Sequence, residues 1–190
     1  MKSQVRVLAF DDGPFKFTDK KAPLVGVLTR LPNYMEAVIV GSITVDGTDA
    51  NDAIAKLVQA SRYKEQITLI LFDGAAVGGF NVIDIDRLCV ETRIPCATVT
   101  RDKPDMRAVE KALRENFDDW KDRLAVLKRR KPRKVDTGHN PIYVDCAGIE
   151  FDDAVQLIKK SLVRGAIPEP LRVAHLIATA MARGESRGRA

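Results

Sequence analysis

Apolar and β-branched residues gather in three stretches early in the chain: "VRVLAFD" (Val5 to Asp11), "PLVGVLTRL" (Pro23 to Leu31) and "EAVIVGSITV" (Glu36 to Val45). Their β-branched and aromatic content predicts three strands. The breaks at Gly13-Pro14 and Pro32-Asn33 suit antiparallel, hairpin-like connections, the first of them long. From Asp49 the period changes. Ala53, Ile54, Leu57 and Val58 recur at helical spacing, with Asp49 as the expected N-cap.

Beyond that helix the pattern alternates. A strand at 67–72 precedes a helix over 83–92, and "CATVT" (Cys96 to Thr100) reads as the next strand. Pro104 opens a helix carrying Val109, Ala112, Leu113 and Phe117, followed by an amphipathic stretch with Trp120, Leu124 and Leu127. "PIYVDCAG" reads as a last short strand, with helices at 151–164 and from Pro168 to Arg183. The order β-β-β-α-β-α-β-α predicts an α/β fold with a ribonuclease H-like mixed sheet. In that architecture a three-strand meander is extended by parallel strands and flanked by helices. We expect one such domain over residues 1–190.

Composition narrows the class without choosing a function. At 45% hydrophobic and 30% charged residues, the chain has the make-up of an ordinary soluble globular protein. Its apolar runs are too short to cross a bilayer or to serve as a secretory signal, so we expect a cytoplasmic protein with no membrane partner. Cys89, Cys96 and Cys146 are odd in number and form no C-x-x-C pair, which argues against a disulfide framework and a structural zinc site. The net charge of +5 leans towards an anionic partner. Six of the seven residues in "KRRKPRK" are basic: Lys128, Arg129, Arg130, Lys131, Arg133 and Lys134. The tail "RGESRGRA" is basic too. The run reads equally as a nucleic-acid contact or as a solvated linker between two elements.

The chemistry-bearing residues are acids at strand ends. Asp11 and Asp12 close the first strand, Asp46 the third in "ITVDG", and Asp73 the fourth in "LFDG". Strand ends are where ligands bind in open sheets, because the loops diverge there. If the first and fourth strands are neighbours their acids converge, and carboxylates held together stay ionised only beside a cation. Mg²⁺ or Mn²⁺ would suit such oxygen donors and would support phosphodiester hydrolysis. Side chains alternate along a strand, so one of the Asp11–Asp12 pair is expected to face the site, and Asp11 is preferred as ligand. The competing account is turn chemistry, since Asp-Gly occurs three times. The loop Gly74-x-x-x-Gly78-Gly79 matches neither a dinucleotide fingerprint nor a P-loop. We read Gly74 as a sharp turn and Gly78-Gly79 as room for substrate.

In "PEPLRVAHLIATAMARG", Arg172, His175, Thr179 and Arg183 form one stripe of an otherwise apolar helix. The stripe is either solvent-facing or turned into a cleft, where His175 could relay a proton or hold a water or phosphate.

Three segments resemble the endonuclease V group of metal-dependent nucleases, and within it a largely archaeal family associated with the name endonuclease dU. "LFDGAAVGGF" is similar to that group's strand-ending Asp-Gly motif, and "PEPLRVAHLIA" to its C-terminal Pro-Glu-Pro-x-Arg-x-Ala-His/Asp motif. "ITVDG" occupies the place of an acid followed by glycine before the first helix. The resemblance implies a Mg²⁺- or Mn²⁺-dependent endonuclease acting on DNA, rather than RNA, at deaminated bases such as deoxyuridine. It implies Asp11, Asp46 and Asp73 as metal ligands, with His175 and Arg101 supporting catalysis. It also implies Tyr34, in "RLPNYM", as a base-stacking wedge; with that reading, Arg172 and the basic run are expected as nucleic-acid contacts. Asp46 stands where endonuclease V has a longer Glu, and Arg101 where the family has Lys. The alternative is a non-catalytic nucleic-acid-binding or adaptor protein on the same fold.

Overall fold

A computed structural model describes residues 4–16 and 18–187; Arg189 of the basic tail lies outside the described residues. The first three strands are β1 (Arg6–Asp12), β2 (Lys21–Arg30) and β3 (Tyr34–Thr44), an antiparallel meander as the sequence predicts. After helix α1 (Ala50–Ala60) the chain adds β4 (Leu69–Asp73) parallel to β1. It then forms a small hairpin of β5 (Ala76–Val77) and β6 (Asn81–Val82), followed by α2 (Ile85–Thr92). Strand β7 (Cys96–Thr100) joins β4 in parallel. Helices α3 (Met106–Asn116) and α4 (Trp120–Lys128) precede β8 (Arg133–Val135) and β9 (Ile142–Ala147). The chain ends on α5 (Phe151–Lys160) and α6 (Glu169–Arg183).

The main sheet has the order β3-β2-β1-β4-β7-β9-β8. Its first five strands give the expected ribonuclease H-like mixed sheet, and β9 and β8 add two antiparallel strands at the far edge. Period 2 divides the apolar residues between the two faces. Leu8, Phe10, Ile70 and Phe72 pack with Ile54 and Val58 of α1 and with Leu88 of α2. Val7, Ala9, Leu69, Leu71 and Val99 pack with Leu157 of α5 and Leu171 of α6. Farther along α6, Ala174 and Ala178 lie on Val25 and Val27 of β2. No helix among the described residues is long and apolar enough to cross a membrane.

Three local expectations change. Asp49 does not cap α1 with its side chain; its carboxylate accepts hydrogen bonds from the Thr44 N–H and hydroxyl and from Asn81 Nδ2. Asn81, fully buried, supplies the missing cap from a distance, its Oδ1 accepting the Ala50 N–H at 2.9 Å. The helix expected over 83–92 starts at Ile85, because the Asp84 carboxylate accepts the Asp86 and Arg87 N–H groups and closes the N-terminus there. The helix expected over 151–164 stops at Lys160, where the Ser161 hydroxyl donates to the Ile158 carbonyl.

Candidate active site

Register brings the first pair of acids together. In the parallel β1–β4 ladder Val7 lies beside Leu69, Ala9 beside Leu71 and Phe10 beside Phe72. One more step sets Asp11 beside Asp73 at the C-terminal ends of both strands. Period 2 keeps these two carboxylates on the face of Val7, Ala9, Leu69 and Leu71, the face that α6 covers. There His175 Nδ1 lies 2.9 Å from Asp11 Oδ2. The α6 stripe therefore turns partly towards the sheet: His175 meets Asp11, and the Thr179 hydroxyl one turn on is buried without a hydrogen-bond partner.

Electrostatics mark the same residues. Burial, with Asp73 and Asp12 nearby, raises the Asp11 pKa to about 8. Burial also raises Asp73, against the opposing pull of Arg101 and His175, while Asp12 pushes it further up. Asp12 is raised by burial as well, although the Gly78 N–H it accepts works the other way. Asp12 ends the strand on the opposite side, yet its charge is felt at Asp11 and Asp73.

Asp12 and Asp46 meet through a loop. The Gly78 N–H donates to Asp12 Oδ2 at 2.8 Å, and the Asp46 N–H donates to the Gly78 carbonyl at 2.7 Å. The Phe80 N–H then donates to Asp46 Oδ1 at 2.8 Å. Asp46 itself has φ 54°, the left-handed region that side chains rarely adopt. A Cβ built on Gly79 would sit 2.2 Å from Asp46 Oδ1. Gly79 is thus glycine at least to admit Asp46. Gly74, with φ 82°, makes the sharp turn expected after Asp73.

The remaining candidates divide. Arg101, just past β7, is near enough to Asp73 to lower its pKa. Arg172 forms a bidentate ion pair with Glu169, at 2.7 and 2.6 Å. Tyr34 is not brought to the acids. Asp12 pairs with Leu24 and Leu24 with Gly41, whereas Arg6 pairs with Arg30 and Arg30 with Tyr34. Six residues of strand, about 20 Å at ~3.3 Å per residue, separate Tyr34 from the acid end. Tyr34 instead stacks on Arg30, whose guanidinium carbon is 4.7 Å from the ring centre.

Several side chains of the basic run are engaged in ion pairs with the rest of the fold. Lys128 pairs with Glu110, Arg129 with Asp84, and Arg130 with both Asp86 and Asp145. Arg133 lies over the Phe151 ring and opens β8, a strand that its charges conceal in the sequence. Lys131 and Lys134 have no ion-pair partner among the described residues. These pairs fasten α4 beside a cavity of about 660 Å³. Ala75, Ala76 and Gly79 from the loop after Asp73, with Thr98 and Thr100 of β7, form its floor; Met106, Val109, Val126 and Leu127 of α3 and α4 roof it.

Sequence reasoning missed Arg123, which is buried and holds the loop carbonyls of Gly47 and Phe80. The available signal was the i,i+4 spacing of Asp119 and Arg123, which make an ion pair at 2.7 Å. Among the described residues, no three Asp, Glu, His or Cys side chains come together closely enough to enclose a metal ion.

Comparison with known proteins gives the family and the fold. The family model described as endonuclease dU matches residues 3–182. A "UPF0215 protein" of Methanothermobacter thermautotrophicus is 40% identical over 191 residues, covering 100% of this chain and 94% of its own. The crystal structure of an Archaeoglobus fulgidus protein of unknown function superposes with a TM-score of 0.83 at 37% identity, over 93% of this chain and 98% of that one. The catalytic domain of human endonuclease V gives a TM-score of 0.62 at 18% identity, over 96% and 84% of the two chains. Endonuclease V of Ciona intestinalis, in complex with DNA containing an inosine followed by a ribo-adenosine, gives 0.57 at 14% identity, over 90% and 83%. The endonuclease V likenesses show a shared fold.

Proposed function

Because the chain belongs to the endonuclease dU family, we propose that it is a Mg²⁺- or Mn²⁺-dependent endonuclease that hydrolyses phosphodiester bonds in DNA at deaminated bases such as deoxyuridine. The observation that carries this reading is the contact of His175 with Asp11, which lies near the end of β1, one residue past the Phe10–Phe72 pair, and feels the charge of Asp73 at the end of β4. Asp11, whose pKa burial and the charge of Asp73 raise, and Asp73, raised by its own burial, favour a nearby positive charge, and a hard divalent cation is the partner that oxygen donors of this kind take. Asp11 and Asp73 fit such an ion in donor chemistry and are its proposed ligands; Asp46, the proposed third, is tied to Asp12 through Gly78 and would join them only by a shift of its loop.

A bound Mg²⁺ or Mn²⁺ supplies Lewis-acid stabilisation of the charge that builds on the phosphate. The chain's own groups do the rest. His175 holds Asp11 in orientation through the Nδ1 contact and, on the exposed side of α6, is placed to hold a water or pass a proton. Arg101, beside Asp73, offers a permanent positive charge to the phosphate or leaving oxygen. The cavity past Asp73 falls in the size range of small-ligand sites and suits one extruded base, which a weakly paired lesion gives up at lower cost. Lys131, at its rim, and Lys134 remain available for phosphates; Arg172 would contact nucleic acid only by sharing its charge with Glu169.

The test compares wild type with Asp73→Asn on labelled duplexes carrying uracil, hypoxanthine or no lesion, in Mg²⁺, Mn²⁺ or chelator. Cutting by wild type in metal alone, reduced by about a thousandfold or more in Asp73→Asn, is the expected result. DNA retention that persists in chelator, with no cutting by either protein, would favour the non-catalytic binding protein instead.

A further inference from the structure

Arg123 is the one basic side chain of α4 that points inward, and its partners are carbonyls of the two loops that carry Asp46 and Gly78. Its Nη1 donates to the Phe80 carbonyl at 2.7 Å and to the Gly47 carbonyl at 2.9 Å. Its Nε donates to Asp119 at 2.7 Å, and its guanidinium carbon lies 4.3 Å from the centre of the Phe117 ring. Phe117 in turn meets Phe80 edge-on, with ring centres 5.7 Å apart. A buried guanidinium caged by one carboxylate and one ring, with a single nitrogen bridging two loops, is a fastening that lysine's point charge cannot reproduce.

The next links are already hydrogen bonds. Phe80 N–H holds Asp46 Oδ1, Asp46 N–H holds the Gly78 carbonyl, and Gly78 N–H holds Asp12 Oδ2. Asp46 keeps a left-handed backbone that is costly for a side-chain residue, so something outside it must hold the loop. We propose that Arg123 is a positioning residue of the candidate active site, setting Asp46 and, through Gly78, Asp12 by tying the 46–47 and 78–80 loops to one guanidinium. This role rests on the nuclease reading for its catalytic consequence, while the positioning itself is a property of the loops.

The experiment uses the full chain and two readouts. Amide hydrogen exchange of Gly78 and Phe80, followed by NMR, reads the loops without any reaction. Cutting of a uracil-containing duplex, titrated with Mn²⁺, reads the site. In Arg123→Met both amides exchange about tenfold faster or more, kcat falls about 10- to 100-fold, the KM for DNA stays within about threefold, and half-saturation by Mn²⁺ moves to higher concentration. Arg123→Lys recovers little of this, whereas Arg123→Ala regains slow exchange and cutting when methylguanidinium is added. That rescue separates positioning from general loss of fold, which circular dichroism of each variant reads directly. Wild-type exchange at Gly78 and Phe80 in folded Arg123→Met overturns the proposal, as does a loss in Arg123→Ala that methylguanidinium leaves untouched. If wild type itself does not cut, the nuclease reading fails, and the exchange rates still decide whether Arg123 holds the loops.

Discussion

Two helical covers flank the acid end of the sheet from opposite faces, and they are fastened by different forces. Helix α6 is sealed on by apolar contact: Leu171, Ala174 and Ala178 are buried against β1, β2 and their neighbours. The approach is close enough that a Cβ on Gly13 would lie 2.6 Å from the Ala178 carbonyl oxygen. The α3–α4 pair on the other side contributes no residue to the three buried apolar clusters. It is tied down by Arg123 to loop carbonyls, by Arg129 to Asp84, and by Arg130 to Asp86 and Asp145. Apolar burial is insensitive to salt, whereas part-exposed ion pairs are screened by it. The cover that presents His175 is therefore expected to be the more rigid one, and the cover that roofs the cavity, with Leu113 and Leu124 the only buried apolar residues of its helices, the first to loosen. A site that must hold acids in place while admitting something bulky beside them benefits from that division.

The largest effect separates the two covers by side-chain truncation. Leu171→Ala should cost about 2–5 kcal/mol, which lowers the melting temperature by roughly 5–15 °C for a chain of this size. Leu124→Ala, under the roof, should lower it by less than half as much, while hydrogen exchange over 106–128 accelerates. Equal losses at both positions, measured by calorimetry, would erase the distinction.

A pH profile sharpens the sealed side. Asp11 binds its proton up to about pH 8 in the folded protein but only to about 3.8 in the unfolded chain. Between those values the folded state holds a proton that the unfolded state has released, so this group's contribution makes stability fall as pH rises from 4 to 8 and level off above. Asp11→Asn should remove that slope, melting several degrees above wild type at pH 9 in chelator and level with it near pH 4. Parallel profiles for the two proteins would show that burial of Asp11 is not felt in the fold.

Salt gives the smallest effect and the most direct one. Raising NaCl from 0.1 to 1 M should speed amide exchange in α3 and α4 by a few-fold and leave α6 unchanged. Arg130→Met should mimic high salt at the roof and cost about 1 kcal/mol or less overall, since its pairs are part-exposed.

Much of this was legible in the chain. The three early strands, the alternation after Asp49, and acids at the ends of the first, third and fourth strands follow from hydrophobic period and punctuation alone. "CATVT" has the strand bounds read from the sequence, because Pro95 and the polar residues after Thr100 bracket a short apolar run. The β5–β6 hairpin was not legible, since its two-residue strands carry too little pattern. Neither was β8, whose "RKV" reads as part of a charge run until Phe151 covers Arg133. The ion pairs of that run were not legible either, because a sequence shows charges without their partners.

The sequence by itself determined which residues alternate, where strands stop, and that the stops are carboxylates, because side-chain period and turn chemistry are local. Only the tertiary structure decided which acids meet. Asp11 and Asp73 are neighbours because β1 and β4 pair in parallel and in one register. Tyr34 is remote because the meander carries it to the other end of the sheet. Asp46 points where it does because an arginine 77 positions later, paired with Asp119 and bonded to the Gly47 carbonyl, holds its loop. Register and long-range pairing are sums over many distant contacts, and no window of the chain contains them.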